Sequence, residues 1–232
     1  MIAAQYNIRS GRSMAGDKNL EGQAAVLRAI GADVISLNEV RMGTTDSDGK
    51  YQADELGRML GMHSVFGRAI DIAGGEYGVA ILSRYPIAAV KNTPVPNVPE
   101  GGREPHFEPR TVLLADAETP DGIVHVITSH FGLSHAEQVN AVDTVCAVVD
   151  RLDGPVIFMG DLNVTEDDPV LRPLDERMES VFRGSDVLTF SSEDPVSRID
   201  YLYIRGFKAQ KNACVDTQAS DHRPIWAQLV RA

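Results

Sequence analysis

Carboxylate, amide and imidazole side chains collect at the ends of apolar runs in this chain, where a buried strand stops and its last side chain can meet a ligand. Asn7 follows "IAAQY", Glu39 follows "VISLN", His130 follows "VITS", and Asp161 with Asn163 follows "VIFMG". Two other runs reverse the order: Asp200 stands at the start of "YLYI", and Asp221-His222 precede "RPIWAQL". Groups of these types bind metal ions or phosphate. If the last two strands run antiparallel to the others, their beginnings lie at the same sheet edge as the others' ends. All of these groups then converge on one mouth.

Taken singly, most of these residues have an ordinary reading. An Asp or Asn after a strand is commonly a turn former, and a lone His such as His63 or His125 is a surface or structural residue. Asp200 is harder to dismiss, because strand alternation puts it on the same side as Leu202 and Ile204. A charge on that face costs free energy unless it is paired, and His222 is the natural partner. "SDH" at 220–222 holds the letters of a hydrolase triad, but adjacent residues of an extended chain point to opposite faces and cannot align nucleophile, base and orienter. "DSDG" at 46–49 lacks the later ligands and closing Glu of a calcium loop. No P-loop, dinucleotide fingerprint or zinc-protease motif is present.

The elements that must position the polar groups are mostly strands. "MIAAQYNI", "DVISLNEV", "YGVAILSR", "RTVLLADAE", "GIVHVITSHF", "PVIFMGDLN", "RIDYLYIRG" and "HRPIWAQLV" have strand length and β-branched enrichment. Apolar residues at three- and four-residue spacing predict helices over 19–30, 51–60 and 134–152. Ser134 with Glu137 three residues later predicts a capping box at the start of the last. After residue 70 strand follows strand through turns such as "SRYP" and "TPDG", which excludes a purely parallel sheet. Strands apolar on both faces, "VISL" and "VIFM" among them, must be covered on both sides. The fold expected is a mixed α+β sandwich of two sheets flanked by helices, in a single domain over 1–232. The proline-rich segment from Thr93 to Pro109 is the clearest long loop; it carries Arg103 and His106, and Arg110 follows it where a strand begins.

Composition works mainly by exclusion. With 232 residues and 43% hydrophobic content the chain can bury one large core. A net charge of −11 and a pI near 4.9 oppose a protein that grips duplex nucleic acid through many phosphate contacts. No apolar stretch has the length of a membrane-spanning helix, and no leader-like segment is evident. The default compartment is the cytoplasm, with secretion of a form whose leader has been removed left open. Cys146 and Cys214 sit in apolar surroundings without metal-type spacing and read as buried free thiols.

In chain order, "YNIRSG", "DVISLNEV", "EYGVAILSRYPI", "TSHFGL", "GDLNV", "RIDYLYI" and "SDHRPI" resemble the endonuclease/exonuclease/phosphatase superfamily of metal-dependent phosphoesterases, over about residues 5–226. The resemblance implies a four-layer αββα sandwich. It implies that Glu39 is the principal metal carboxylate, with Asn7 and Asp221 beside it, and that Asp161 orients or deprotonates the attacking water while Asn163 holds the phosphate or that water. It further implies a His222-Asp200 pair near the scissile phosphate and His130 at a second phosphate-side position, with Glu76 as its support. Carboxylate and amide oxygens without a thiolate cluster favour Mg²⁺ or Mn²⁺ over Zn²⁺. Arg110 reads either as a phosphate contact or as an ordinary surface arginine.

The resemblance narrows the substrate less. Relative to abasic-site endonucleases the chain departs at Arg9, at Asn38-Glu39 and at His130; relative to inositol polyphosphate 5-phosphatases, "SSEDPVSRIDYLYI" lacks a tryptophan- and arginine-rich segment. No hydrophobic hairpin for entering a bilayer is evident. The expected partner is a phosphorylated small-molecule or lipid-derived substrate rather than duplex nucleic acid. A nuclease acting on DNA or RNA and a non-catalytic member that binds a phospholigand or protein are the alternatives.

Overall fold

The computed structural model describes residues 1–100 and 107–232, so Arg103 and His106 lie outside the described residues. The strands are β1 (Ile2–Asn7), β2 (Val34–Met42), β3 (His63–Ile72), β4 (Gly75–Ser83), β5 (Ile87–Pro94), β6 (Thr111–Thr119), β7 (Gly122–His130), β8 (Val156–Asp161), β9 (Glu179–Ser180), β10 (Asp200–Arg205), β11 (Phe207–Cys214) and β12 (Ile225–Arg231). The helices are α1 (Leu20–Ile30), α2 (Gln52–Leu60), α3 (His135–Val149) and the short α4 (Arg172–Asp175). They build two six-stranded sheets, ordered β11-β12-β1-β2-β4-β3 and β5-β6-β7-β8-β10-β9.

Each sheet is antiparallel except at its centre, where β1 pairs with β2 and β7 with β8 in parallel. A parallel pair needs a crossover. α1 lies between β1 and β2 in the chain, and α3 between β7 and β8. The α3 start is fixed by the expected capping box, with Ser134 Oγ accepting from the Glu137 N–H and the Glu137 carboxylate accepting from the Ser134 N–H. Burying the apolar faces of these helices gives the outer cores: Leu20, Ala24 and Leu27 pack with Tyr6, Ile35 and Leu37 on one sheet. Val142, Val145 and Val149 pack with Phe158, Tyr201 and Tyr203 on the other.

A third core lies between the sheets, where Ala3, Val34, Val126, Ile157, Leu202 and Ile204 meet. The result is the four-layer αββα sandwich. Because alternate residues of a strand share a face, the same side of β1 carries Ala3, Gln5 and Asn7, that of β2 Val34, Ser36 and Asn38, and that of β7 Val126, Thr128 and His130. The inter-sheet layer is thus apolar at one end and polar at the other. β10 runs antiparallel to β8 with Asp200 opposite Asp161, and β12 antiparallel to β1. The late motif residues therefore arrive at the polar end.

The close approach of β7 and β8 depends on Gly160, which pairs with Ser129. A Cβ on Gly160 would lie 2.1 Å from the Ser129 carbonyl oxygen, a backbone atom that cannot step aside. Gly160→Ala is therefore expected to destabilise the fold by about 1 to 3 kcal/mol, the usual cost of overpacking. Chemical denaturation followed by circular dichroism measures it; an unchanged midpoint would show that the two strands can part without cost.

Candidate active site

The mouth forms where both parallel strand pairs end. On β2, Ile35 and Leu37 face outward into the helix-covered core, and simple alternation would send Glu39 the same way. A bulge between Leu37 and Val40 in the pairing with β4 breaks the alternation. Glu39 adopts φ 58°, in the left-handed region that a residue with a side chain seldom enters. Val40 takes the outward position instead, and Glu39 reaches Asn7, whose Nδ2 donates to Glu39 Oε1 at 3.0 Å. The same nitrogen donates to Asp161 Oδ2 at 3.0 Å, bridging the two sheets.

Asp161 ends β8 and is 1% exposed. Its Oδ1 accepts from the Asn163 N–H at 3.1 Å, an Asx-type turn that holds Asn163 at φ 50°. His222 Nδ1 lies 2.8 Å from Asp200 Oδ2, and its Nε2 lies 3.5 Å from Asp161 Oδ2. Asp200 is fully buried and His222 nearly so. The ring of Phe190 packs against His222 with centroids 4.8 Å apart.

His130 approaches Asp161 from the other side, with Nε2 also 3.5 Å from Oδ2. Asn163 Nδ2 lies 3.1 Å from that same His130 nitrogen and donates to the Phe131 carbonyl at 3.0 Å. Arg110 Nη1 stands 3.0 Å from His130 Nδ1 and can only donate, so Nδ1 accepts and the neutral ring carries its proton on Nε2 towards Asp161, with Asn163 Nδ2 a neighbour of Nε2 and not its hydrogen-bond partner. The Arg110 guanidinium is held in turn by Glu108. Glu76 takes no part in this support: it is about half exposed and pairs with Arg68 at 3.8 Å. The expectation that Glu76 buttresses His130 is thereby corrected, since its strand register sets it opposite Asp71 and Met42, while His130 belongs to the facing sheet.

The Endonuclease/Exonuclease/phosphatase family model matches residues 4–222. The chain belongs to this family. It is 27% identical over 228 residues to the uncharacterized protein YbhP of Escherichia coli K12, covering 88% of this chain and 85% of that one. In fold it is similar to an endonuclease/exonuclease/phosphatase from Beutenbergia cavernae, with TM-score 0.82 and 22% identity over 100% of this chain and 72% of that one. It is similar also to the mannosyl-6-phosphatase Bt3783 of Bacteroides thetaiotaomicron, with TM-score 0.79 and 16% identity over 99% of each chain.

Members of the family are typically metal-dependent phosphoesterases, and the donor set here fits a hard divalent cation. Two carboxylates from opposite sheets, Glu39 and Asp161, converge on the one amide of Asn7, a concentration of negative charge and oxygen donors that suits such an ion. Asp161, Asp200 and His222 form a second grouping whose ligand atoms all lie within 4.8 Å of one another, although His222 Nδ1 is already engaged by Asp200. Asp221, expected beside Glu39, pairs with Arg9 at 3.2 Å, and the Arg9 N–H donates to Asn7 Oδ1. Gln5, Ser36, Asn38 and Thr128, not singled out in the sequence, form the floor of the site; their signal was polarity at inward strand positions. Among the described residues no helix is long and apolar enough to cross a membrane.

Burial by itself would lower the His222 pKa, but the Asp200 and Asp161 carboxylates outweigh it and push it up to about 10. For His130 burial, reinforced by the charges of Arg110 and His222, lowers the pKa well below its usual value, so this ring stays neutral. Burial raises the Asp161 pKa to about 7, with His222 opposing and Asp200 adding to the shift. Folding therefore raises the pKa of His222 above its unfolded value of 6.5. That pairing stabilises fully below the unfolded value and is lost as pH rises through the folded one. Asp161 acts in the same direction at lower pH, its contribution being lost between its unfolded value of 3.8 and about 7, so the fall above pH 7 belongs to His222. Protein stripped of divalent cations by chelation is expected to lose thermal stability between about pH 7 and 10, and His222→Gln to flatten that slope. Equal slopes in thermal melts across this range would count against the imidazolium.

Proposed function

We propose that this protein is a hydrolase of phosphate esters that works with Mg²⁺ or Mn²⁺, Asp161 preparing the attacking water and His222 acting at the phosphate. The observation that carries the reading is the convergence of two imidazoles on one carboxylate oxygen: His222 and His130 each lie 3.5 Å from Asp161 Oδ2. A carboxylate whose pKa is raised by burial is suited to accept a proton from water near neutral pH. The His222 imidazolium, oriented by Asp200, donates to a phosphoryl or leaving-group oxygen through Nε2. The His130 Nε2–H and the Asn163 amide supply neutral donors to the other oxygens. Glu39 and Asn7, with Asp221 if it exchanges its Arg9 partner, would hold the divalent cation, which when bound would polarise the phosphoryl group and offset the charge that accumulates there.

The substrate we infer is a phosphorylated small molecule or lipid-derived compound, diester or monoester, in preference to duplex nucleic acid. The net charge of −11 supports this, since grip on a duplex requires a cationic surface. A mannosyl-6-phosphatase shares the fold, which is compatible with this substrate class.

Purified protein is expected to hydrolyse bis(p-nitrophenyl) phosphate or p-nitrophenyl phosphate with Mg²⁺ or Mn²⁺, and to stop on EDTA addition or in Glu39→Ala. Absence of turnover with Mg²⁺, Mn²⁺ and Ca²⁺ on both esters would overturn the reading. His222→Ala is expected to remain folded and lose about 100- to 1,000-fold in kcat, the effect of removing one transition-state donor worth about 3 to 4 kcal/mol. Arg110→Ala is expected to weaken apparent substrate affinity; an unchanged KM would assign Arg110 to holding His130 alone.

A further inference from the structure

Gln5 lies on β1 where the inter-sheet layer changes from apolar to polar, and it is fully buried. Its Nε2 donates to Asn38 Oδ1 and reaches Asp200 Oδ1 at 3.3 Å. Its Oε1 accepts from Ser36 Oγ, which lies 2.6 Å from Thr128 Oγ1 of the facing sheet. The acceptors Asn38 Oδ1 and Asp200 Oδ1 fix the amide, because a flipped Gln5 would present its oxygen to both, whereas the Ser36 hydroxyl serves either orientation. Each group that Gln5 holds is itself holding part of the machinery. Asn38 Oδ1 also accepts from the Asp161 N–H at 2.8 Å, while Asn38 Nδ2 donates to the Ser129 carbonyl at 3.0 Å. Asp200 uses its other oxygen to orient His222.

We propose that Gln5 is a positioning residue whose single amide nitrogen, by holding Asn38 and Asp200 together, sets where Asp161 stands relative to the His222 ring. The inference rests on the hydrolytic reading of this site and adds a residue to it. A side chain that only filled space would need the right volume; this role needs two hydrogens on one nitrogen. Leucine fills a similar volume without either hydrogen, and a glutamic acid side chain of the same shape carries at most one.

The test compares Gln5→Leu and Gln5→Glu with the unmodified protein on bis(p-nitrophenyl) phosphate. Both are expected to lower kcat by about 10- to 100-fold, the range for losing one hydrogen bond to a charged group, with KM changed less than about twofold. Placed in an Asp200→Asn background, Gln5→Leu is expected to add little further loss, because it acts through Asp200. A second readout needs no turnover: the proton between His222 Nδ1 and Asp200, followed by NMR and identified by its disappearance in His222→Gln, is expected to shift in both Gln5 variants. An unmoved resonance, normal kcat in a folded variant, or full additivity with Asp200→Asn would overturn the assignment. Should the unmodified protein cleave no phosphate ester, the hydrolytic reading fails, and the resonance still decides whether Gln5 positions the pair.

Discussion

Two carboxylates facing each other inside a protein repel and lose their hydration, and the register of β8 with β10 brings Asp161 opposite Asp200 with both out of water. Most of the polar architecture of this chain answers that cost. The His222 imidazole stands between them, and the amides of Asn7, Gln5 and Asn38 bond one or the other residue. Removing any one member leaves a buried charge or a buried polar group without its partner. The network is consequently interdependent, and it can exist only because the apolar half of the same layer, from Ala3 and Val34 to Ile204, keeps the sheets at a fixed distance.

Backbone strain concentrates at the same place. Glu39 and Asn163 both occupy left-handed backbone conformations, and Arg9, which pairs with Asp221, has φ 46°. Such conformations persist only where surrounding structure enforces them. For Glu39 the enforcing element is the bulge between Leu37, which pairs with Ala80, and Val40, which pairs with Gly78; β3, on the other side of β4, carries its own register shift just after Arg68, which also pairs with Gly78. A Cβ on Gly78 would meet the Gly67 carbonyl oxygen at 2.0 Å.

The loops around the mouth are tied down rather than left to solvent. In the turn that follows Asn163-Val164, Glu166 pairs with Arg198 and accepts from the Gly184 N–H at 2.7 Å. Arg198 in turn lies over the Tyr201 ring, and the Tyr201 hydroxyl donates to the Val164 carbonyl. The segment after Asp161 is thus fastened to the segment before Asp200, which limits how far the two can move apart. On the other flank Ser192 and Arg223 join the Phe190 loop to the Asp221-His222 turn through backbone bonds.

Sequence alone determined the central strands, the three longer helices and the polar residues at strand ends, because burial on both faces writes itself as uninterrupted apolar runs and a helix as a three-to-four spacing. The strands it left unmarked, β3, β5, β9 and β11, are the four sheet edges. Edge strands keep largely exposed faces, as in β5 and β11, so hydrophobicity carries no signal there. It also carried Asp200 with His222, since a charge at an inward strand position demands a partner. Only the tertiary structure decided that Glu39 turns inward, that Arg110 and not Glu76 supports His130, and that Gln5 and Asn38 underlie the site. Those outcomes depend on a bulge, on which sheet a side chain belongs to, and on contacts between residues as far apart as Gln5 and Asp200; none of them leaves a local pattern for the sequence to display.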